Sequence, residues 1–116
     1  MVKTMLLLKR KPGLSREEFR RQFEEVHMPL AFKLVPTIRK FVQNYVITTN
    51  DILTGAAEPE FDCIMELWFD DMEAYQAMMD AEAGDAGQAL KHSAQVCVDI
   101  DKIVEFFVEE VESEIA

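Results

Sequence analysis

The chain reads as an α+β protein whose elements follow the order β-α-β-β-α-β. Three observations predict this. Apolar and β-branched runs of strand length stand at residues 2–9, 39–49, 61–69 and 103–111. Apolar residues at helical spacing fill the stretch after the first run and the stretch after the third. Turn and capping residues mark the junctions.

Residues 2–9 (VKTMLLLK) form a buried strand, closed by the turn signal Lys11-Pro12-Gly13. A helix follows, with Ser15 as N-cap, Glu18 three residues on, and Leu14 and Phe19 at the positions of a hydrophobic staple. Phe19, Phe23, Val26, Leu30 and Leu34 line its apolar side, and it ends before Pro36. Residues 39–49 (RKFVQNYVITT) are the second strand. Asn50 to Glu60, with Gly55 and Pro59, is a loop. Residues 61–69 (FDCIMELWF) are the third strand. Asp70 caps the next helix, with Glu73 three residues later and Met72, Tyr75 and Met79 as its apolar side. Asp85 and Gln88 open a short helix to about Ala94, and residues 103–111 form the last strand. This order is the ferredoxin-like arrangement, an antiparallel sheet with both helices on one face. The whole chain, 1–116, reads as one domain with an acidic tail from about residue 109.

Composition narrows the class. Hydrophobic residues make up 49% of 116, which fits one modest core. No window approaches the ~18 apolar residues of a membrane span, and MVKTMLLLKRKPG lacks the length and cleavage site of a signal peptide. The expected location is cytoplasmic, with no membrane partner. A net charge of −10 disfavours nucleic acid. The charge is lopsided: residues 1–40 hold ten Lys/Arg against four Asp/Glu, and residues 41–116 hold two against eighteen. Either these are solvated faces on separate elements, or basic and acidic surfaces of two copies meet. Cys63 and Cys97 lie in apolar stretches and read as small buried hydrophobes. No C-x-x-C or H-x-x-x-H spacing suggests zinc, no glycine-rich phosphate loop is present, and no cofactor is expected.

The third strand carries the functional argument. One face, Phe61, Cys63, Met65, Leu67 and Phe69, is wholly apolar and belongs under the helices. The other, Asp62, Ile64, Glu66 and Trp68, is too apolar for open water and too polar for a sealed core. A wet cavity between two facing sheets reconciles these demands, and the second sheet most simply comes from a second copy. The alternative is a monomer with one solvated sheet face. In the second strand both faces are mixed, so the sequence leaves open whether Phe41 and Tyr45 point inward.

The segments KRKPGLSREEFRRQFEEVHMPLA, KFVQNYV and FDCIMELWFDDMEAYQAM, and more weakly the final FFVEE, resemble the EthD family of dimeric α/β-barrel proteins. The resemblance covers most of the chain. It implies a ferredoxin-like subunit that dimerises through its sheets into a barrel. Members occur in gene sets for ether and aromatic-compound degradation. Relatives in the wider superfamily are cofactor-free isomerases, cyclases, decarboxylases or monooxygenases. Two departures stand out: Phe41 replaces a common tyrosine, and Lys91-His92-Ser93-Ala94-Gln95 replaces a common acidic pair.

His27, in the H-x-P-L motif, borders the buried stripe of the first helix, and Pro29 removes the helical bond to the Glu25 carbonyl. The ring either satisfies a broken helical turn or serves as a proton-transfer group at a pocket mouth. Glu66 either orients His27 or pairs with a basic residue of the first strand, such as Lys9. Phe41, Tyr45, Asp62 and Trp68 are the expected pocket walls. Asp62 and Glu66 stand about 13 Å apart by strand rise, too far for a carboxylate dyad. His92 reads as a surface residue, and no serine has histidine and acid partners at a hydrolase spacing. Two functions follow. One is a cofactor-independent isomerase, cyclase, dehydratase or decarboxylase acting on a small apolar molecule. The other is a non-catalytic dimeric accessory or ligand-binding protein.

Overall fold

The computed structural model describes residues 1–47 and 59–115. The loop expected over Asn50–Glu60 lies outside them, apart from Pro59 and Glu60, as do Thr48 and Thr49 of the expected second strand. Four strands, β1 (Val2–Leu8), β2 (Lys40–Tyr45), β3 (Cys63–Phe69) and β4 (Val104–Val108), form one sheet in the order β2-β3-β1-β4. Every pairing is antiparallel. This is the ferredoxin-like topology expected from the element order.

The helices pack on one face. α1 (Arg16–Gln22) starts where expected, with Ser15 Oγ accepting from the Glu18 N–H at 3.1 Å. It continues through a π-helical turn, Phe23–His27, into α2 (Met28–Leu34). The break expected at Pro29 therefore takes the form of a widened turn. Met28 N–H bonds to the Phe23 carbonyl five residues back. Pro29 has no N–H to donate and its ring crowds the Glu25 carbonyl, and inserting one residue into the turn relieves both demands.

α3 (Met72–Glu82) is capped one residue later than expected: Asp71 Oδ1, not Asp70, accepts from the Ala74 N–H at 2.8 Å. Its buried residues are Tyr75 and Met78, while Met72 and Met79 are exposed. α4 (Asp85–Cys97) is longer than expected and buries Leu90, Ser93 and Cys97. The α3–α4 elbow depends on Gly87. A Cβ there would lie 1.5 Å from the Glu82 carbonyl oxygen, so only glycine admits this approach.

Cys63, Met65, Leu67 and Phe69 are buried under the helices, as their alternation requires. Phe19, Phe23, Leu8, Met28 and Val35 complete the core. Cys63 and Cys97 are fully buried, and burial pushes their thiols up to about 12 and about 11. Part of the lopsided charge is answered within one chain. Lys3 pairs with Glu66 and Glu110, Arg10 and Arg16 with Asp62, and Arg39 with Asp70.

Candidate functional site

The strand register sorts the candidate residues onto two sides of the sheet. Phe41 pairs with Leu67 and Tyr45 with Cys63, so both turn toward the helices. Glu66 and Trp68 point the other way, beside Met5 and Lys3 of β1 and Val42 and Lys40 of β2. The sequence expectation of one pocket walled by Phe41, Tyr45, Asp62 and Trp68 is therefore corrected, because these residues do not share a face.

A cavity of about 550 Å³ lies between the sheet and its own helices, on the face opposite the one where the sequence expects a chamber shared with a second copy. Met28, Met65, Leu67, Met78 and Phe41 supply apolar wall. The polar groups are few: His27, Glu82, Lys91 and Glu105. An apolar hollow with a small number of placed polar groups is the usual form of a small-molecule site. A larger hollow of about 780 Å³ lies outside the helices, beside Gln22, Val26, Ser93 and Val96. Amide and alkyl side chains make up most of its wall, and its titratable groups, Lys91 and His92, are exposed.

His27 ends the π-helical turn, which turns its ring inward. The ring stacks on Phe23 at a centroid distance of 5.5 Å, and Nδ1 lies 3.2 Å from Ser93 Oγ. Burial holds its pKa below the usual 6.5, so the ring is neutral near neutrality. The sequence reading missed Ser93. Its signal was the helical spacing of Leu90, Ser93 and Cys97, the buried side of α4.

Glu66 does not meet His27. Its Oε1 lies 2.7 Å from Lys3 Nζ, and its Oε2 accepts from Asn44 Nδ2 at 2.9 Å. The alternative reading, an ion pair with the first strand, holds with Lys3 in place of Lys9. Hydrogen bonds from Lys3, then Asn44, hold the carboxyl below its ordinary range. Lys3 Nζ also meets Glu110 Oε2 at 2.6 Å, and Glu110 and Glu66 together raise its pKa. Trp68 lies between two cations, Lys3 at 4.5 Å and Lys40 at 4.7 Å from the ring centroid.

Two other expected wall residues are occupied elsewhere. Asp62 is buried, accepts from the Arg10 backbone N–H at 2.9 Å, and faces the Arg10 and Arg16 guanidinium groups. Tyr45 packs edge-on against Phe19 under the Arg20 guanidinium, and burial pushes its phenol up. Neither lines the cavity.

The sequence reading also missed an acidic rim. Glu82 and Glu105 are exposed where the cavity opens, and the Tyr75 hydroxyl donates to Glu105 Oε1 at 3.0 Å. Desolvation, and then the nearby Glu105, raise the Glu82 carboxyl. Burial and that hydrogen bond push the Tyr75 phenol up to about 12. The signal was again spacing: Tyr75, Met78, Met79 and Glu82 fall on one helical face. Among the described residues, no three His, Cys, Asp or Glu side chains gather as a metal set. No helix among them is long and apolar enough to cross a membrane.

A sequence profile for the EthD domain matches residues 11–92. The chain belongs to the EthD family. An EthD-family protein from Bacillus halodurans shares 22% identity and a TM-score of 0.66, covering 96% of this chain and all of that one. A Dabb-family protein with a ferredoxin-like fold from Mesorhizobium loti shares 19% identity and a TM-score of 0.57, covering 96% and 97%. A dimeric protein of unknown function with a ferredoxin-like fold from Bacteroides fragilis shares 12% identity and a TM-score of 0.54, covering 92% and 95%. These identities show a common fold. No curated protein matches the chain. The EthD profile includes His27, Phe41 and Glu82 and ends at His92, just before Ser93.

Proposed function

We propose that this EthD-family protein binds a small, largely apolar molecule between its sheet and helices, and that His27 handles a proton during an isomerisation, cyclisation, dehydration or decarboxylation. One observation carries this reading. A half-buried, neutral imidazole lines an otherwise mostly apolar cavity of about 550 Å³. That volume suits a molecule of two or three fused rings. Glu66 has no part in this chemistry, being on the far side of the sheet. With a turned-over substrate in hand, His27→Ala should cut the rate by ~10²–10⁴. Turnover that survives the substitution would leave His27 without a catalytic role.

A second copy covers the open sheet face in this reading. Met5, Leu7, Ile64, Trp68 and Phe106 make that face apolar, with Lys3 and Glu66 already paired on it. The structural neighbour described as dimeric supports a dimeric state. Light scattering at micromolar concentration should report a dimer, and a monomer would refute it. The exposed apolar face also favours a second reading, a non-catalytic dimeric accessory or ligand-binding protein. Under it, His27→Ala lowers stability and leaves no chemistry to lose.

A further inference from the structure

The bond between His27 and Ser93 decides which nitrogen of the imidazole serves the cavity. Nδ1 is engaged 3.2 Å from Ser93 Oγ, which leaves Nε2 for a ligand. A neutral imidazole has one N–H and one lone pair, so the two nitrogens play opposite roles. Ser93 is buried on α4, and among the described residues Nδ1 is the acceptor that its hydroxyl meets. A buried hydroxyl without an acceptor is costly. Donation from Ser93 to Nδ1 satisfies it and places the ring proton on Nε2. The reverse arrangement, Nδ1–H against Oγ, leaves the hydroxyl proton without that acceptor.

We propose that Ser93 is a positioning residue: its hydroxyl donates to Nδ1, locks His27 as the Nε2–H tautomer, and presents that N–H to an acceptor oxygen of the ligand. This rests on the cavity reading above. It makes His27 a donor rather than a base, and it names the ligand class. The ligand is a neutral molecule with a carbonyl or similar oxygen on an apolar ring frame. A neutral imidazole N–H in a low-dielectric site stabilises negative charge that develops on such an oxygen. Glu82 and Glu105 on the rim disfavour an anionic ligand, while Lys91, on the same wall, is exposed to solvent. Burial, which keeps the ring uncharged near neutrality, supports the same role.

The tautomer can be read without any ligand. The chain has two histidines, and exposed His92 serves as the reference. Long-range ¹H–¹⁵N NMR of the full protein should show His27 protonated on Nε2 and bare on Nδ1. Ser93→Ala should return the ring to a mixture of tautomers, and Ser93→Thr should restore one. An Nδ1–H ring in the wild type, or an unchanged ring in Ser93→Ala, overturns the assignment. Binding adds a second readout. 1-Tetralone should bind more tightly than tetralin by roughly tenfold, the worth of one hydrogen bond. Methyl shifts of Met28, Met65 and Met78 would report it. The preference should vanish in Ser93→Ala and return in Ser93→Thr. Equal binding of the two probes overturns the role of Ser93 and leaves the cavity reading standing. Binding of neither overturns the cavity reading and this one with it. Covalent capture of Ser93 by a fluorophosphonate would make it a nucleophile and overturn the positioning role.

Discussion

His27 and Glu66 lie on opposite sides of one four-stranded sheet, the first among the helices and the second on the open face. The two residues that look most like a catalytic pair in the sequence belong to separate systems. One is a neutral imidazole held by a serine; the other is a carboxylate held by a lysine and an asparagine. Groups separated by a packed sheet with no shared partner act nearly independently. The stability effects of His27→Gln and Glu66→Gln should therefore add to within about 0.5 kcal/mol in a double-mutant cycle by urea denaturation. A coupling well above that would show that the sheet transmits between its faces.

The Lys3–Glu66 pair makes stability sensitive to acid. Lys3, then Asn44, holds the Glu66 carboxyl below 4.5, its unperturbed value. A depressed carboxyl contributes stability fully above the unfolded value and loses it as pH falls through the folded one. The melting-temperature gap between wild type and Glu66→Gln should be present at pH 7 and close below about pH 4. At pH 7 the substitution should cost about 1–2 kcal/mol, since Glu66 is partly exposed and its amide replacement still meets Asn44. A gap that persists unchanged at pH 3 would assign the cost to packing instead.

His27 gives a second window with the same sign for a different reason. Burial lowers its pKa from 6.5, so the unfolded chain takes up a proton that the folded ring resists. Stability should fall as pH drops below 6.5 and level off once the folded ring also protonates. His27→Gln should flatten that part of the profile while leaving the lower, Glu66-dependent part in place. Thermal melts at half-unit intervals from pH 7.5 down to 3 would separate the two, with the His27 part above pH 4.5 and the Glu66 part below it. A wild-type profile without slope between pH 6.5 and 4.5 contradicts a neutral, half-buried ring.

Local pattern made the alternation of β3 legible, because Cys63, Met65, Leu67 and Phe69 carry their own period. The capping of α1 by Ser15 was legible for the same reason: cap and capped group are three residues apart. What failed was non-local. Phe41 and Tyr45 take their side from the register of β2 on β3, which no feature within β2 specifies. The partner of His27 is Ser93, 66 residues away. Asp62 looked like part of β3, yet its carboxylate is drawn off by Arg10 and Arg16 from a distant turn and helix. The chamber expected between two copies rested on β3's open face looking half-polar. Its one carboxylate, Glu66, is neutralised by Lys3 across the β1–β3 pairing, so the face needs no water-filled chamber to explain it.

Gly87 is the position where a single methyl group should do most damage. An added Cβ would meet the Glu82 carbonyl at 1.5 Å, and that oxygen is backbone, so α4 must move away from α3. Gly87→Ala should destabilise by about 2–4 kcal/mol, despite alanine's better helix propensity. The displacement also carries Glu82 and Lys91, which flank the cavity. Urea denaturation measures the first effect, and loss of 1-tetralone binding measures the second. A Gly87→Ala protein as stable as wild type would mean that the elbow tolerates a wider opening.

Pro29 links the widened helical turn to the candidate site. The π-helical segment Phe23–His27 ends two residues before it, and Met28 N–H reaches back to the Phe23 carbonyl. With an N–H restored at position 29, the bond to Glu25 becomes available and the ring no longer crowds that carbonyl. Pro29→Ala should let the turn tighten toward ordinary α-helix and raise stability by about 1 kcal/mol. Tightening by one residue rotates the preceding side chains by about 100° around the helix axis. His27 then loses Ser93 and its burial, and its pKa returns toward 6.5. The expected variant is more stable, yet it no longer presents a neutral N–H to the cavity. Histidine NMR titration and urea denaturation on the same sample test both halves. A stabilised variant with an unchanged His27 would show that packing on Phe23, not Pro29, holds the widened turn in place.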